Sequence, residues 1–363
     1  MSKIVDPLSP HRQKIDEIDG KLLALLNDRA RVVLEVGKIK RDRKAELYAP
    51  AREQAIYVRL TGLNQGPFPN EAVRSVFREI ISASLSLEGP LKVAYLGPEA
   101  TFTHMACTQR FGFSVSALPV ESIKSVFDEV ERGRVNFGVV PIENSNEGVV
   151  NHTLDMFIDS PLKIFGEILL EISHNLLSKT GKIEALKRVY SHPHAFAQCK
   201  VFIETRLPGV EVVEVSSTAK AAELAQEDPT AGAIASELAA RLYDLVIIQK
   251  KIEDNVNNFT RFLVISPQTH APTGKDKTSL LFSVQDKPGI LYEVIRPFSR
   301  AKINLTNIES RPSKRKAWEY IFYVDMEGHI EDKKIRKVIK GLKAGGITLK
   351  VLGSYPSAEE IEA

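Results

Sequence analysis

Seven apolar residues recur at heptad spacing near the N-terminus: Ile15, Ile18, Leu22, Leu25, Val32, Val36 and Ile39. They dictate one long helix. Ser9-Pro10 reads as its start, a capping hydroxyl followed by proline at the first helical position. A helix of this length cannot bury such a stripe on a small local core, so it requires a partner chain or two further helices. Arg29 breaks the register, standing where an apolar residue belongs, and Arg12 and Lys40 flank the seam near its two ends. Two more helices are predicted. Pro50–Leu63 carries Ile56, Leu60 and Leu63, a row continued by Glu53. Asn70 caps a third helix with a stripe at Val73, Phe77, Ile80 and Leu87, in which Ser84 lies. Glu88 continues a neighbouring row. A buried charge is expensive unless paired. These residues predict a cationic pocket inside a helical dimer, suited to a dianion. For Arg12 and Glu88, partial exposure at a helix end is the competing reading.

From Lys92 to Ile265 strands and helices alternate. Strands are expected at 92–96, 115–118, 137–141, 162–165, 167–177, 188–190, 210–215, 232–234 and 246–249, and a last apolar run follows at Leu263-Val264-Ile265. The pattern is that of mostly parallel sheets covered by helices. A chain that leaves one region and returns at Thr260 suggests two lobes with a cleft between them. The loops carry polar clusters: Glu143-Asn144-Ser145, Ser191-His192-Pro193-His194, Ser217-Thr218 and Asn255-Val256-Asn257-Asn258-Phe259-Thr260-Arg261-Phe262. In the last of these a hydroxyl donor (Thr260) and a fixed cation (Arg261) suit a small anionic substrate, since arginine grips a carboxylate with two prongs. Ser217 or Thr218 also reads as a helix cap. No G-x-G-x-x-G and no phosphate loop is present, which disfavours nicotinamide and nucleoside triphosphate chemistry.

Beyond the Pro/Thr/Gly-rich linker at 266–276, the periodicity predicts a βαββαβ order with a glycine turn at Gly289 opening its first helix. Net charge is +3 with 26% charged residues, which is no polybasic nucleic-acid binder. Cys107 and Cys199 stand far apart with no metal-ligand spacing, and no apolar run is long enough for a membrane span. The first ten residues carry no export pattern. A cytoplasmic protein is therefore expected.

His11-Arg12-Gln13-Lys14-Ile15-Asp16, the run from Leu22 to Arg29, and Glu35-Val36-Gly37-Lys38-Ile39-Lys40 resemble the all-helical chorismate mutase family. Gly97-Pro98-x-x-Thr101-Phe102, Pro141-Ile142-Glu143-Asn144-Ser145, Ser191-His192-Pro193, Ser217-Thr218-Ala219 and Thr260-Arg261-Phe262, in that order, resemble prephenate dehydratase. Gly289-Ile290-Leu291 and Glu309-Ser310-Arg311-Pro312 resemble an ACT domain. The resemblance implies an all-α mutase domain at 1–91, a two-lobed α/β dehydratase domain like a periplasmic binding protein at 92–268, and an α+β, ferredoxin-like ACT domain at 278–355.

It also implies roles. In the mutase Arg12, Arg29, Lys40, Arg52, Glu53, Ser84 and Glu88 contact substrate, with Arg12 reaching the site of the other chain. Lys40 and Glu88 face the breaking ether oxygen, where Glu88 helps only when protonated, so mutase activity is expected to fall as pH rises. In the dehydratase Thr260 is the catalytic residue, with Glu143 or a water behind it. Thr101, Glu143, Asn144, Ser145, Ser217, Thr218, Arg261 and Phe262 contact substrate. Gly289, Ile290, Leu291, Glu309, Ser310 and Arg311 would hold phenylalanine as a feedback inhibitor. No metal or organic cofactor is implied. The implied partners are chorismate, prephenate and phenylalanine, with no nucleic acid or membrane, and a homodimer or larger homo-oligomer. Three departures from the family patterns stand out: Ala49 for aspartate, Glu88 for glutamine and Ala100 for glycine. Two alternatives stay open: an arogenate-using dehydratase, and a non-catalytic two-lobed ligand binder with an amino-acid sensor.

Overall fold

A computed structural model describes residues 8–43, 48, 50–89, 91–255, 257–285, 287–312 and 319–358, so Ala49 lies outside the described residues. The chain divides into two compact units, one of Met1–Leu91 with Phe111–Ser116, the other of Lys92–Arg110 with Ala117–Ala363.

The first unit holds α1 (Ser9–Asp42), α2 (Pro50–Leu63) and α3 (Asn70–Glu88). The helix caps differ from expectation. Leu8 and Pro69 occupy the cap positions of α1 and α3, with no side-chain bond at either. The heptad seam is exposed along its whole length, with Ile15 at 56%, Leu25 at 63% and Ile39 at 53%. The two further helices do not cover it. A different row of α1, through Arg29, Val33, Gly37 and Lys40, is the buried or half-buried one, and it meets α3. A Cβ on Gly37 would lie 3.2 Å from Glu88 Cα. Glycine inside a helix sacrifices roughly 1 kcal/mol against alanine, and this close approach is its use.

The second unit begins with β1 (Lys92–Leu96), α4 (Phe102–Phe111), β2 (Ser116–Val120), α5 (Ile123–Glu131), β3 (Phe137–Asn144), β4 (Gly148–Val149), α6 (Asn151–Asp159) and β5 (Lys163–Glu171). The chain then crosses to β6 (Asn175–Ser178), β7 (Arg188–Ser191), α7 (Pro193–Gln198), α8 (Lys200–Arg206), β8 (Glu211–Glu214), α9 (Thr218–Glu227), β9 (Ala231–Ala235), α10 (Glu237–Leu242) and β10 (Val246–Gln249). It returns as β11 (Phe259–Ser266). The first sheet runs β2-β1-β3-β11-β5 with β4 beside β3, and the second runs β10-β6-β9-β7-β8. The expected single strand over 167–177 is two strands in two sheets, because residues between Glu171 and Asn175 carry the chain across. The two crossings bond to each other, Ile172 N to Asn258 O at 2.7 Å and Ile252 N to His174 O at 2.9 Å. The sheets are mixed rather than mostly parallel. β11 arrives from the other lobe instead of through a helical crossover, and it runs antiparallel to both β3 and β5.

The chain closes with β12 (Asp276–Gln285), α11 (Ile290–Arg300), β13 (Leu305–Pro312), β14 (Glu319–Glu327), α12 (Lys333–Ala344) and β15 (Thr348–Pro356), in sheet order β13-β14-β12-β15. Gly289 precedes α11 at φ +80, a left-handed conformation that glycine adopts without strain. One face of this sheet packs on α11 and α12 through Leu280, Phe282, Val324 and Met326. The other face joins the core of the first lobe, where Leu281, Ile321, Tyr323, Leu352 and Tyr355 pack with Ile164, Leu263 and Ile265. At that contact Gly353 admits no side chain, since a Cβ there would lie 2.2 Å from Ile164 O. A backbone atom cannot step aside, so Gly353→Ala is expected to destabilise this unit by about 1–3 kcal/mol. Urea unfolding of the full chain measures it, and an unshifted midpoint refutes the contact.

Among the described residues no helix is long and apolar enough to cross a membrane. Cys107 and Cys199 are both buried free thiols.

Candidate active sites

In the helical unit, α1 and α3 bring Arg29, Lys40, Ser84 and Glu88 together. Arg29 donates to Ser84 Oγ. Lys40 Nζ bonds Glu88 Oε2 at 2.7 Å, with the glutamate side chain 8% exposed. Burial lowers the Arg29 pKa, and Glu88 opposes that shift. The heptad break at Arg29 thus marks a cation held inward by design of the α1–α3 contact. Glu53 is also buried, but both its oxygens are taken, by Tyr48 Oη at 2.8 Å and Tyr57 Oη at 2.6 Å. Arg52 and Arg12 are exposed. Arg12 precedes Arg29 by seventeen residues on one continuous helix, about 25 Å along the axis. Within a single chain it cannot join the Arg29 cluster.

In the two-lobed region, β3 and β11 place their polar residues on opposite faces. Thr260 pairs with Asn144 across the ladder, and Arg261 pairs with Glu143. Directly paired residues share a face and successive ones alternate. On one face, at the junction of the lobes, Asn144 Nδ2 donates to Thr260 Oγ1 at 2.8 Å and to Asn258 Oδ1 at 2.8 Å. Asn258 Nδ2 donates to Gln198 Oε1 at 3.0 Å, and that oxygen also meets His174 Nε2 at 2.9 Å. Glu147 takes Gln198 Nε2 at 3.2 Å and lies 3.0 Å from His194 Nδ1, which joins one lobe to the other. Burial holds the His174 pKa below its ordinary value, against the Gln198 bond and Glu253.

The opposite face corrects the expectation for Arg261 and Glu143. Arg261 is turned away from Thr260 and is bonded at each nitrogen: Nε to Glu167 at 2.7 Å, Nη1 to Asp325 at 2.6 Å and Nη2 to Tyr355 Oη at 3.0 Å. Burial disfavours its charge, but Tyr355, Asp325 and Glu167 outweigh that and raise its pKa. Glu143 lies on the same face, 3.4 Å from Asn307 Nδ2. It therefore does not stand behind Thr260. A cavity on this side, lined by Glu143, Arg261, Asn307, Glu309, Tyr323 and Asp325, has no Thr260 in its wall. Phe262 is core, 2% exposed.

Other expected contacts have local duties. Ser217 caps α9 by accepting from Lys220 N at 3.0 Å, with Thr218 opening the helix. Ser145 Oγ accepts from Phe259 N at 3.0 Å and donates to Asn257 O at 3.1 Å, pinning the start of β11. Thr101 Oγ1 donates to Pro98 O at 2.9 Å, in the loop leading to α4. Ala100 in that loop has φ +65 and is fully buried. A left-handed alanine costs roughly 1–2 kcal/mol, which a glycine would offset with about 0.5–1 kcal/mol of extra chain entropy and the loss of about 0.8 kcal/mol of buried methyl. These nearly cancel, so alanine is tolerated where glycine is usual.

In the last sheet, Glu309 pairs with Tyr323 and Ser310 with Phe322. Glu309 and Arg311 therefore face the first lobe, where Arg311 Nη1 pairs with Asp155 Oδ1 at 2.7 Å. Ser310 faces the helices with Phe322. The six expected effector contacts are thus divided between two faces, because strand residues alternate. Gln198, His174 and Glu167 have no role assigned from the sequence, and Asn258 stands there only as one of the amides preceding Thr260. The run Asn257-Asn258 before Thr260 was the one available signal.

The type II chorismate mutase profile matches residues 11–89, the prephenate dehydratase profile residues 93–270 and the ACT domain profile residues 278–344. The chain is 52% identical over 358 residues to a bifunctional chorismate mutase/prephenate dehydratase of Aquifex aeolicus (strain VF5), covering 98% of this chain and 99% of that protein. It is 46% identical to the protein of that name in Pseudomonas aeruginosa, covering 97% and 98%. A crystal structure of prephenate dehydratase in complex with L-Phe from Arthrobacter aurescens aligns with TM-score 0.68 at 33% identity, over 75% of this chain and 92% of that one.

Proposed function

The chain belongs to the bifunctional chorismate mutase/prephenate dehydratase family, and from that premise we propose which residues perform its two reactions and how they are regulated. It is an enzyme with both activities.

The first reaction is a pericyclic rearrangement of chorismate to prephenate, so catalysis consists of conformational restraint and electrostatics. Arg29 grips one carboxylate of the folded conformer. Arg12 of a second copy grips the other, since its own chain holds it some 25 Å away along α1. The exposed heptad seam is the surface on which that second copy docks, with apolar residues at the spacing that two helices share. Lys40 and Glu88 face the ether oxygen. An ionised Glu88 would repel the charge developing there, whereas an amide would donate to it. Glu88→Gln is therefore expected to raise mutase turnover at neutral pH and flatten its pH profile. An unchanged profile removes Glu88 from this role.

The second reaction expels CO₂ and the ring hydroxyl and leaves phenylpyruvate. The bond between the ring carbon and its carboxylate breaks, its electron pair enters the ring and aromatises it as CO₂ leaves, and the C–O bond to the hydroxyl breaks in turn, the hydroxyl needing a proton to leave as water. Thr260 delivers it. The observation that carries this is the Asn144 bond: Thr260 Oγ1 accepts there, which leaves its own O–H to donate.

Phenylalanine acts on the C-terminal sheet. The start of α11 at Gly289 and Leu291 suits a carboxylate, while Ile290 N donates to Lys287 O at 3.2 Å and shapes the turn, and Ser310 lies on the helix-facing side. Glu309 and Arg311, on the other side, relay the change to Glu143 and Asp155. The test is phenylpyruvate formation from chorismate with and without phenylalanine. Turnover of both steps and a fall on adding phenylalanine are expected. Conversion that stops at prephenate, or is indifferent to phenylalanine, overturns the respective part.

A further inference from the structure

We propose that Asn258 is a positioning residue for dehydration, acting through Asn144 to keep the Thr260 hydroxyl proton free for the departing hydroxyl. This rests on the assignment of Thr260 as donor above.

The polarity of the chain of amides is fixed from both ends by groups that cannot reverse. At one end Asn144 Oδ1 accepts from the backbone N–H of Asn146 at 2.9 Å and of Glu147 at 3.0 Å. A backbone N–H only donates, so the amide nitrogen of Asn144 must face Thr260 and Asn258. At the other end Glu147 Oε1 meets Gln198 Nε2 at 3.2 Å. An ionised carboxylate only accepts, so Gln198 turns its oxygen toward Asn258 and His174. His174 therefore carries its proton on Nε2.

Asn258 is the link between these ends. It is 1% exposed, its Oδ1 accepts from Asn144 and its Nδ2 donates to Gln198. Its backbone is held too, with Ile172 N bonded to its carbonyl. Every member is oriented one way, and Thr260 receives the last bond. Among the described residues Thr260 Oγ1 takes that bond alone. Without the Asn258 oxygen, Asn144 loses the partner that sets its second amide hydrogen. Phe259 O, already 3.3 Å from Asn144 Nδ2, then becomes the competing partner, and the donor to Thr260 swings off line.

The test is a double-mutant cycle on the full-length enzyme with prephenate as substrate. Asn258→Ala is expected to lower dehydratase kcat by about 10- to 100-fold, the scale of a small misplacement of a catalytic group, with KM held within about twofold. In the Thr260→Ala background the same change should have no further effect on kcat, since the residue it acts through is gone. Mutase turnover of the same chain reports that the helical unit is intact, and urea unfolding reports on the other. Should Asn258→Ala fail to fold, Asn258→Ser carries the same cycle with a smaller void. An equal loss of kcat in both backgrounds, a change in KM alone, or no change overturns the inference. Full dehydratase turnover in Thr260→Ala overturns the Thr260 assignment itself, and the inference with it.

Discussion

Thr260→Ala is expected to halt the second reaction and spare the first, so that chorismate is converted to prephenate and goes no further. General acid catalysis contributes about 10²- to 10⁴-fold, and the fall in dehydratase kcat should lie in that range. Prephenate binding should be little changed, because the substitution removes no charge. Thr260 is the second residue of β11, where Asn144 and Asn258 converge. Its removal leaves Asn144 one acceptor short but strands no charge, so the lobe should remain folded. Following ultraviolet absorbance of phenylpyruvate, with prephenate assayed separately, distinguishes the outcomes. Phenylpyruvate formed at the unaltered rate would dismiss Thr260 as the donor.

Arg29→Ala should have the converse effect. The loss of one preorganised charge at a developing anion is worth about 10²- to 10³-fold in turnover, and mutase activity should fall by that much while externally supplied prephenate is still dehydrated. Arg29 is more than a point charge, since its guanidinium also donates to Ser84, so lysine should not restore it. A mixing experiment sharpens the test. Arg12→Ala chains and Arg29→Ala chains are each inactive alone if the two arginines meet across copies. Dissociated and reassociated at equal amounts, they would regain roughly a quarter of the native sites, as expected for random pairing in a twofold dimer. Recovery of none would show that Arg12 serves no neighbour's site.

The sequence carried most of this architecture, because each region repeats a signal that only one packing satisfies. The heptad seam predicts a long helix whatever its partners, and Arg29 within the register points to a pocket without further help. What chain order hides is facing. Thr260 and Arg261 are neighbours in the chain, and a motif reads them as one site. A strand sends them to opposite sides, and the direction follows from a ladder with β3 that is set by residues more than a hundred positions away. The same holds for Glu309 and Ser310. The seam illustrates a second limit. Its spacing announces that something must cover it, but the row turned to α3 is the one through Gly37, and only the approach of two backbones reveals that. Gln198 lies in the polar run that follows Ser191 and His174 carries no local signal; the importance of both comes from being brought to Asn258 by the folding of two separate lobes.

The seating of the last sheet on the back of β11 bears on how this enzyme can be dissected. Cutting the chain after the linker would strip Asp325 and Tyr355 from Arg261 and uncover Leu263 and Ile164, which lie in a shared interior. A severed dehydratase would carry a lopsided ion cluster and a bare greasy wall behind β11. Its poor behaviour would say nothing about inhibition by an effector. Point changes that leave the wall in place are the cleaner instrument for separating control from chemistry.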